Sequence, residues 1–238
     1  MRDKETRVQR MFSSIAGYYD VLNTLLSFSR DKYWRRYAVS KAGLNSGEKI
    51  LDLATGTGKL ALELADKVGE QGDVIGIDFC PEMLHKAKDN SRKARYQNVV
   101  LIQANANALP FQDCTFDCVA AGFVLRNVAD IESTLQEVTR VLRPTGKLVC
   151  LEFSQPRNTI FRGLFRLYIF GVIPFLGALL SRSWHAYSYL PRSIVEFPSP
   201  VELREAMEKI GLRNIEIYPL TFGTVTVLIG TKKYGNNS

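Results

Sequence analysis

The 238-residue chain is short of the residues that mark metal sites, secreted scaffolds and membrane spans. Only two histidines occur, His85 and His185, far apart and without metal-ligand spacing around them, so no metal is expected. Four cysteines (Cys80, Cys114, Cys118, Cys150) are too few for a disulfide framework and read as ordinary reduced residues. No run of roughly 18 uncharged apolar residues exists, which argues against a membrane-spanning helix. The charged opening MRDKETRVQR leads into no apolar stretch of the kind a secretory signal needs. No internal repeat or low-complexity tract is present. What remains is a 46% apolar, 23% charged chain, long enough for one filled domain with an elaborate insert. A reduced, cytoplasmic protein is expected.

The net charge of +7 is unevenly spread. Residues 1–48 carry nine Lys/Arg against five Asp/Glu, and residues 154–195 carry five Arg and no acid. The stretch between them, 49–153, is slightly acidic, at 12 against 14. Two basic flanks around a near-neutral globule suit phosphate, on nucleic acid or on an anionic membrane face, or serve only solubility. No helix-turn-helix, zinc spacing or aromatic RNA-binding motif supports nucleic acid as the partner.

From residue 49 the pattern alternates strand and helix. Strands are expected at 49–54, 73–78, 99–103, 116–122 and 147–153. Helices are expected at 60–68, from Pro81 to about Lys93, and from an Asp130 cap to Leu142, where Pro144-Thr-Gly146 ends the last one. Such alternation means parallel strands joined by right-handed crossovers. A helix at 199–210 with a Ser199 cap follows. Two β-rich stretches, 213–219 and 224–231, then pair around a Gly223 turn. The expected fold is α/β: a doubly wound, Rossmann-like, seven-stranded, mostly parallel sheet with an antiparallel edge. Two segments break the rhythm. Residues 1–48 look mainly helical, as a cap or substrate region before the 49–153 core. Residues 154–195 form an insert before the 196–238 tail. Its run Leu167 to Leu180 has no charge, is interrupted by Gly171, Pro174 and Gly177, and is too short to cross a bilayer. It fits a core helix, a lid over an apolar pocket, or a segment lying in a membrane interface.

The strongest local signal is Asp52-Leu-Ala-Thr-Gly56-Thr-Gly58, a strand end running into a helix start, where glycines let a ligand approach the backbone. The phosphate loop of nucleotide triphosphatases is excluded: its first glycine position is Leu53, and Leu60 replaces its Ser/Thr. A nicotinamide fingerprint is a rival, because Gly56-Thr-Gly58-Lys-Leu-Ala61 fits its permissive form and Asp78 follows Gly56 by 22 residues. Asp52 discriminates. A carboxylate at the mouth of the loop repels a pyrophosphate and suits the ammonium end of S-adenosylmethionine (SAM). Asp78 can accept from both ribose hydroxyls, or cap the helix that Pro81 opens.

At these motifs the chain resembles a class I SAM-dependent methyltransferase. LDLATGTG looks like the first motif and the acid of VIGID the second. Asn105-Ala106 falls where the adenine edge is held, and FDCVAAGFVLRNV and RVLRPTGKLVCLEFS follow. Tyr19-Asp-Val-Leu-Asn23 with Ser27 and Trp34, and Arg140 to Gly146 with Glu152-Phe-Ser154, resemble the two signatures of the ubiquinone/menaquinone biosynthesis C-methyltransferase family. Leu22, Asp31, Thr55, Thr145, Arg143 and Gly122 depart from that family's usual residues.

The resemblance implies SAM as cofactor, S-adenosylhomocysteine (SAH) as product, and C-methylation of a polyprenyl quinol, demethylmenaquinol or the related ubiquinone precursor. It places Asp52, Thr55, Gly56, Thr57, Gly58, Asp78, Phe79, Met83, Asn105, Ala106 and Gly122 at the cofactor. Asn23, Phe123, Tyr187, Tyr189 and Ser193 fall at the substrate. Arg126, Asn127, Tyr19 and Asp20 are the candidate catalytic group, since no histidine lies in the motifs. An arginine stays charged, so Arg126 is expected to steady an oxyanion and orient a water that takes the proton, or to sit in a buried ion pair, with Asp130 as a candidate partner. A polyprenyl substrate lives in the bilayer, which implies peripheral contact of the insert with the membrane. Homodimerisation stays open, as does another small-molecule methyltransferase or a reductase.

Overall fold

The computed structural model describes residues 2–175 and 184–234, with side chains for 4–175 and 189–234. Three helices come first: α1 (Arg2–Ile15), α2 (Tyr19–Leu26) and α3 (Arg30–Ala42). The core follows as β1 (Lys49–Leu53), α4 (Lys59–Val68), β2 (Asp73–Asp78), α5 (Pro81–Ala94), β3 (Val99–Gln103), β4 (Phe116–Gly122), α6 (Ile131–Val141) and β5 (Leu142–Phe153). The insert holds α7 (Thr159–Leu167), a π-helical turn (Tyr168–Val172) and α8 (Trp184–Glu196). Helix α9 (Pro200–Lys209) leads into β6 (Leu212–Leu220) and β7 (Val225–Lys232).

The seven strands lie in the order β3-β2-β1-β4-β5-β7-β6. β1 to β5 pair in parallel, and β7 runs against both β5 and β6, forming the antiparallel edge. The central strands are apolar without alternation because helices cover both faces. One face packs Trp34, Ala38, Leu64 and Val68 onto Ile50 and Val227. The other packs Leu135, Val138 and Met207 onto Leu51, Phe116 and Val119. The strand order reverses between β1 and β4, where doubly wound sheets open a crevice at their carboxyl ends.

Local chemistry explains most boundaries. Asp130 accepts the Glu132 N–H at the start of α6, and Ser199 and Glu202 form a reciprocal capping box on α9. One boundary differs from expectation. β5 begins at Leu142, directly after α6, and not at Lys147. Leu142 pairs with Phe116 before the register shifts, so Pro144-Thr-Gly146 forms a bulge inside the strand, with Thr145 at φ +65°.

The two segments that break the αβ rhythm meet. Ile15, Leu22 and Leu26 of the N-terminal helices share a small core with Ile169, Ile173 and Ile194 of the insert. Both basic flanks therefore belong to one cap. α1 is tied to loops at the carboxyl edge of the sheet: Lys4 Nζ donates to the Val128 carbonyl at 2.6 Å and Gln9 Nε2 to the Phe79 carbonyl at 3.1 Å.

Candidate active site

Between cap and sheet lie three voids that share walls. The largest holds about 1090 Å³ of empty space, its open mouth included. It is walled by the glycine loop, by Gly122 to Asn127 after β4, and by Tyr19, Asp20 and Asn23 of α2. A second, between Asp78, Phe79 and Met83, joins it to a third around Asn105 and Ala106.

The loop after β1 is shaped by backbone demands. Gly56 has φ +56°, and a Cβ there would project into open space, so the turn leaves a cradle where ligand can approach. Gly58, at φ +79°, precedes α4, and a Cβ there would lie 3.2 Å from the Ala87 Cβ. Asp78, at the end of β2, is 5% exposed. Its Oδ2 accepts the Gly56 N–H at 2.8 Å and its Oδ1 the Cys80 N–H at 2.9 Å. It therefore steadies the turn into α5 while lining two of the voids. Burial raises its pKa against those N–H donors.

Asp52 does not line the cleft. It is 1% exposed beneath the loop, where its Oδ2 accepts the Thr55 hydroxyl at 2.6 Å, and the Ala61 backbone also donates to the carboxylate. Burial pushes its pKa up to about 7. Its carboxylate holds the loop to the first turn of α4. The carboxylate that faces the cleft beside the loop is Asp20, which takes the Thr57 hydroxyl at 2.6 Å and lies 3.6 Å from Lys59 Nζ.

Phe123, at φ +59°, turns its carbonyl to accept both Arg126 Nη1 at 2.7 Å and Asn127 Nδ2 at 3.2 Å. The ion-pair partner of Arg126 is Glu152 of β5, 2.5 Å away; Asp130 instead caps α6. Parallel pairing of Gly122 with Leu151 brings these segments side by side. Glu152 is buried at 2% exposure and also faces the N–H groups of Phe153 and Arg126. Burial raises its pKa and the guanidinium opposes the rise. Arg126 lines the cleft, and its Nε is buried without a partner among the described residues. Asn127 Oδ1 accepts the Tyr189 hydroxyl at 3.2 Å. Burial also raises the pKa of the Tyr19 phenol, with the Arg126 charge working against it.

Thus Thr55, Gly56, Thr57, Gly122, Asn23, Phe123 and Tyr189 line the large cleft with Tyr19, Asp20, Arg126 and Asn127. Ser193 does not: it is buried and its hydroxyl donates to the Leu190 carbonyl. The Tyr187 side chain lies outside the described residues. Glu152, Trp34 and Phe153, unassigned from sequence, are central, for Phe123 and Phe153 sit 4.7 Å apart with Trp34 at 6.1 Å from each. Asp31, a departure from the family pattern, pairs with Arg35 at 2.7 Å on the same wall. Among the described residues no cluster of His, Cys, Asp and Glu could hold a metal ion.

The model of the ubiE/COQ5 methyltransferase family matches residues 1–232. The chain belongs to the ubiE/COQ5 methyltransferase family. It is 41% identical to a ubiquinone/menaquinone biosynthesis C-methyltransferase UbiE of Citrifermentans bemidjiense, over 98% of this chain and 99% of that one. It is equally similar, at 41%, to a demethylmenaquinone methyltransferase of Bacillus cereus, over 97% and 98%. Among solved structures, a SAM-dependent methyltransferase of Aquifex aeolicus shares the fold at TM-score 0.66 and 20% identity, over 89% of this chain and 97% of that one. The family makes this chain a SAM-dependent C-methyltransferase, and the cradle at Gly56 with the buried Asp78 beside it fits that cofactor.

Asp78→Asn replaces one acceptor oxygen with a donor. It is expected to weaken SAH binding by about tenfold or more, since the turns at Gly56 and Cys80 lose a hydrogen bond to a charged acceptor, worth about 1.5–3 kcal/mol. Calorimetric titration reads this directly, and an affinity within about twofold of wild type would contradict it.

Proposed function

We propose that this enzyme methylates a ring carbon of a polyprenyl quinol, either demethylmenaquinol or the demethylated ubiquinol precursor. The observation that carries the reading is the buried guanidinium of Arg126 on a cleft wall that also presents Trp34, Phe123 and Phe153. Flat aromatic walls suit a quinol ring, and a buried cationic donor suits the oxyanion that makes such a ring nucleophilic.

SAM, when bound, supplies a methyl group on a sulfonium for in-line attack by carbon. The protein's part is to hold the ring and lower the cost of deprotonating it. Arg126 donates to the developing phenolate oxygen. Because a guanidinium keeps its proton, the quinol O–H proton leaves to a water that Arg126 orients; once the methyl group has moved, the hydrogen on the attacked ring carbon leaves as a proton to the same water and the aromatic quinol is restored. Asn127 donates or accepts at a ring oxygen from a position fixed by Phe123 and Tyr189. Tyr19 stays protonated, its pKa raised by burial, and closes the α2 side with Asp20 and Asn23. Turnover with either purified quinol and labelled SAM supports the reading and identifies the ring. Turnover with neither, by protein that binds SAH, contradicts it.

The substrate's tail accounts for the outer surface. Ile160, Phe161, Leu164 and Leu167 form one stripe on α7, and no residue of that helix is buried. The stripe continues where Phe161 stacks on Phe222 at 4.7 Å. A second exposed strip, Val21, Leu25 and Phe28 on and after α2, contacts Tyr168 through Phe28 and begins at Asp20, beside the cleft mouth. Arg157, Arg162 and Arg166 flank the α7 stripe. An apolar stripe edged by arginines fits an anionic membrane interface. No helix among the described residues is long and apolar enough to cross a membrane. The double variant Leu164→Glu/Leu167→Glu is expected to lose flotation with anionic vesicles while keeping SAH affinity. Unchanged flotation would remove the membrane contact.

A further inference from the structure

We infer that Glu5, on the N-terminal helix outside the αβ core, recognises the exocyclic amino group of the cofactor's adenine, a role that rests on SAM being the cofactor. The void around Asn105 and Ala106 is closed from the cap side by Glu5, in the first turns of α1. An adenine edge carries an amino group with two donors, so its pocket needs an acceptor.

Each of the other side-chain oxygens that line this void already takes a donor from the protein, and among the described residues Glu5 keeps one that does not. Asn105 Oδ1 takes the N–H of Asn107 at 2.9 Å within its own turn. Asn107 Oδ1 takes the Thr134 hydroxyl. Both oxygens of Asp78 hold backbone N–H groups of the neighbouring turns. Asn127 Oδ1 takes Tyr189.

Glu5 differs in kind. Its Oε1 accepts from Asn105 Nδ2 at 3.3 Å and from Asn107 Nδ2 at 3.2 Å, which aims the carboxylate at the adenine loop and leaves Oε2 for a further donor. Lys4 and Gln9 fasten α1 to the carbonyls of Val128 and Phe79, on two of the loops that wall the same void. A residue with no place in the Gly-loop or Asp78 motifs thereby selects adenine.

The test is calorimetric titration of the full chain with SAH and with S-inosylhomocysteine, in which the amino group is replaced by a carbonyl oxygen. Wild type is expected to prefer SAH by about ten- to hundredfold. In Glu5→Gln and Glu5→Ala that preference is expected to collapse to within about threefold, through weaker SAH and unchanged or tighter inosyl binding. A preference that survives in both variants would overturn the role of Glu5. Failure of wild type to bind either ligand would instead overturn the cofactor reading on which it stands. Equal loss of both ligands in both variants would show Glu5 to be a tie between helix and loop, without adenine selection.

Discussion

Arg126→Lys is expected to lower kcat for methyl transfer by about 10²- to 10³-fold while leaving SAH affinity within about threefold of wild type. The size is that of losing one donor to the developing oxyanion, the role proposed above for Arg126. Lysine is the informative replacement because it keeps a cation beside buried Glu152. It cannot reproduce the planar fork that puts Nη1 on both Glu152 and the Phe123 carbonyl. Alanine would confound the result by stranding Glu152. Steady-state kinetics on folded protein, with calorimetry in parallel, separates the two readouts. A kcat within about threefold of wild type would deny Arg126 its place at the reacting oxygen.

Removing the acid of the same pair, by Glu152→Ala, should cost about 3–5 kcal/mol of folding stability, the usual penalty for leaving one buried charge without its partner. For a chain of this size that is a fall in Tm of about 10 °C. Two further groups lose an acceptor with it, the N–H of Phe153 and that of Arg126. The double variant Arg126→Met/Glu152→Ala should recover much of the loss, because no uncompensated charge is left. Thermal melts of the three proteins decide it. A single variant melting within about 2 °C of wild type would mean the pair is solvated and contributes little.

The αβ core was legible because its strands are buried on both faces and punctuated by strong turn chemistry. Lys49 to Leu53, Asp73 to Asp78 and Phe116 to Gly122 read as apolar runs bounded by glycine, proline or acid. The start of β5 was not, since Pro-Thr-Gly looks the same whether it ends a helix or bulges a strand. The turn at Gly56 and Gly58 and the place of Asp78 at the end of β2 were legible from spacing. The burial of Asp52 was not: a strand's period places its side chain on a face without saying whether that face opens to a ligand or to the next helix. Glu152 stood in a recognised motif, but its partner lies 26 residues away and meets it only through the β4–β5 pairing. The contact of Glu5 with Asn105 spans 100 residues and has no local signature. The apolar spacing of α7 is plain in Ile160, Phe161, Leu164 and Leu167, yet only the folded cap shows that this stripe faces outward.

Attack by carbon on the methyl group of SAM is tested most directly by running the enzyme with SAM carrying a ¹³C methyl and a demethylated quinol, and locating the label by NMR. The ¹³C methyl is expected on a quinone ring carbon, with the signal falling in step with turnover in Arg126→Lys. A signal on a ring oxygen, or none from protein that binds SAH, would contradict it.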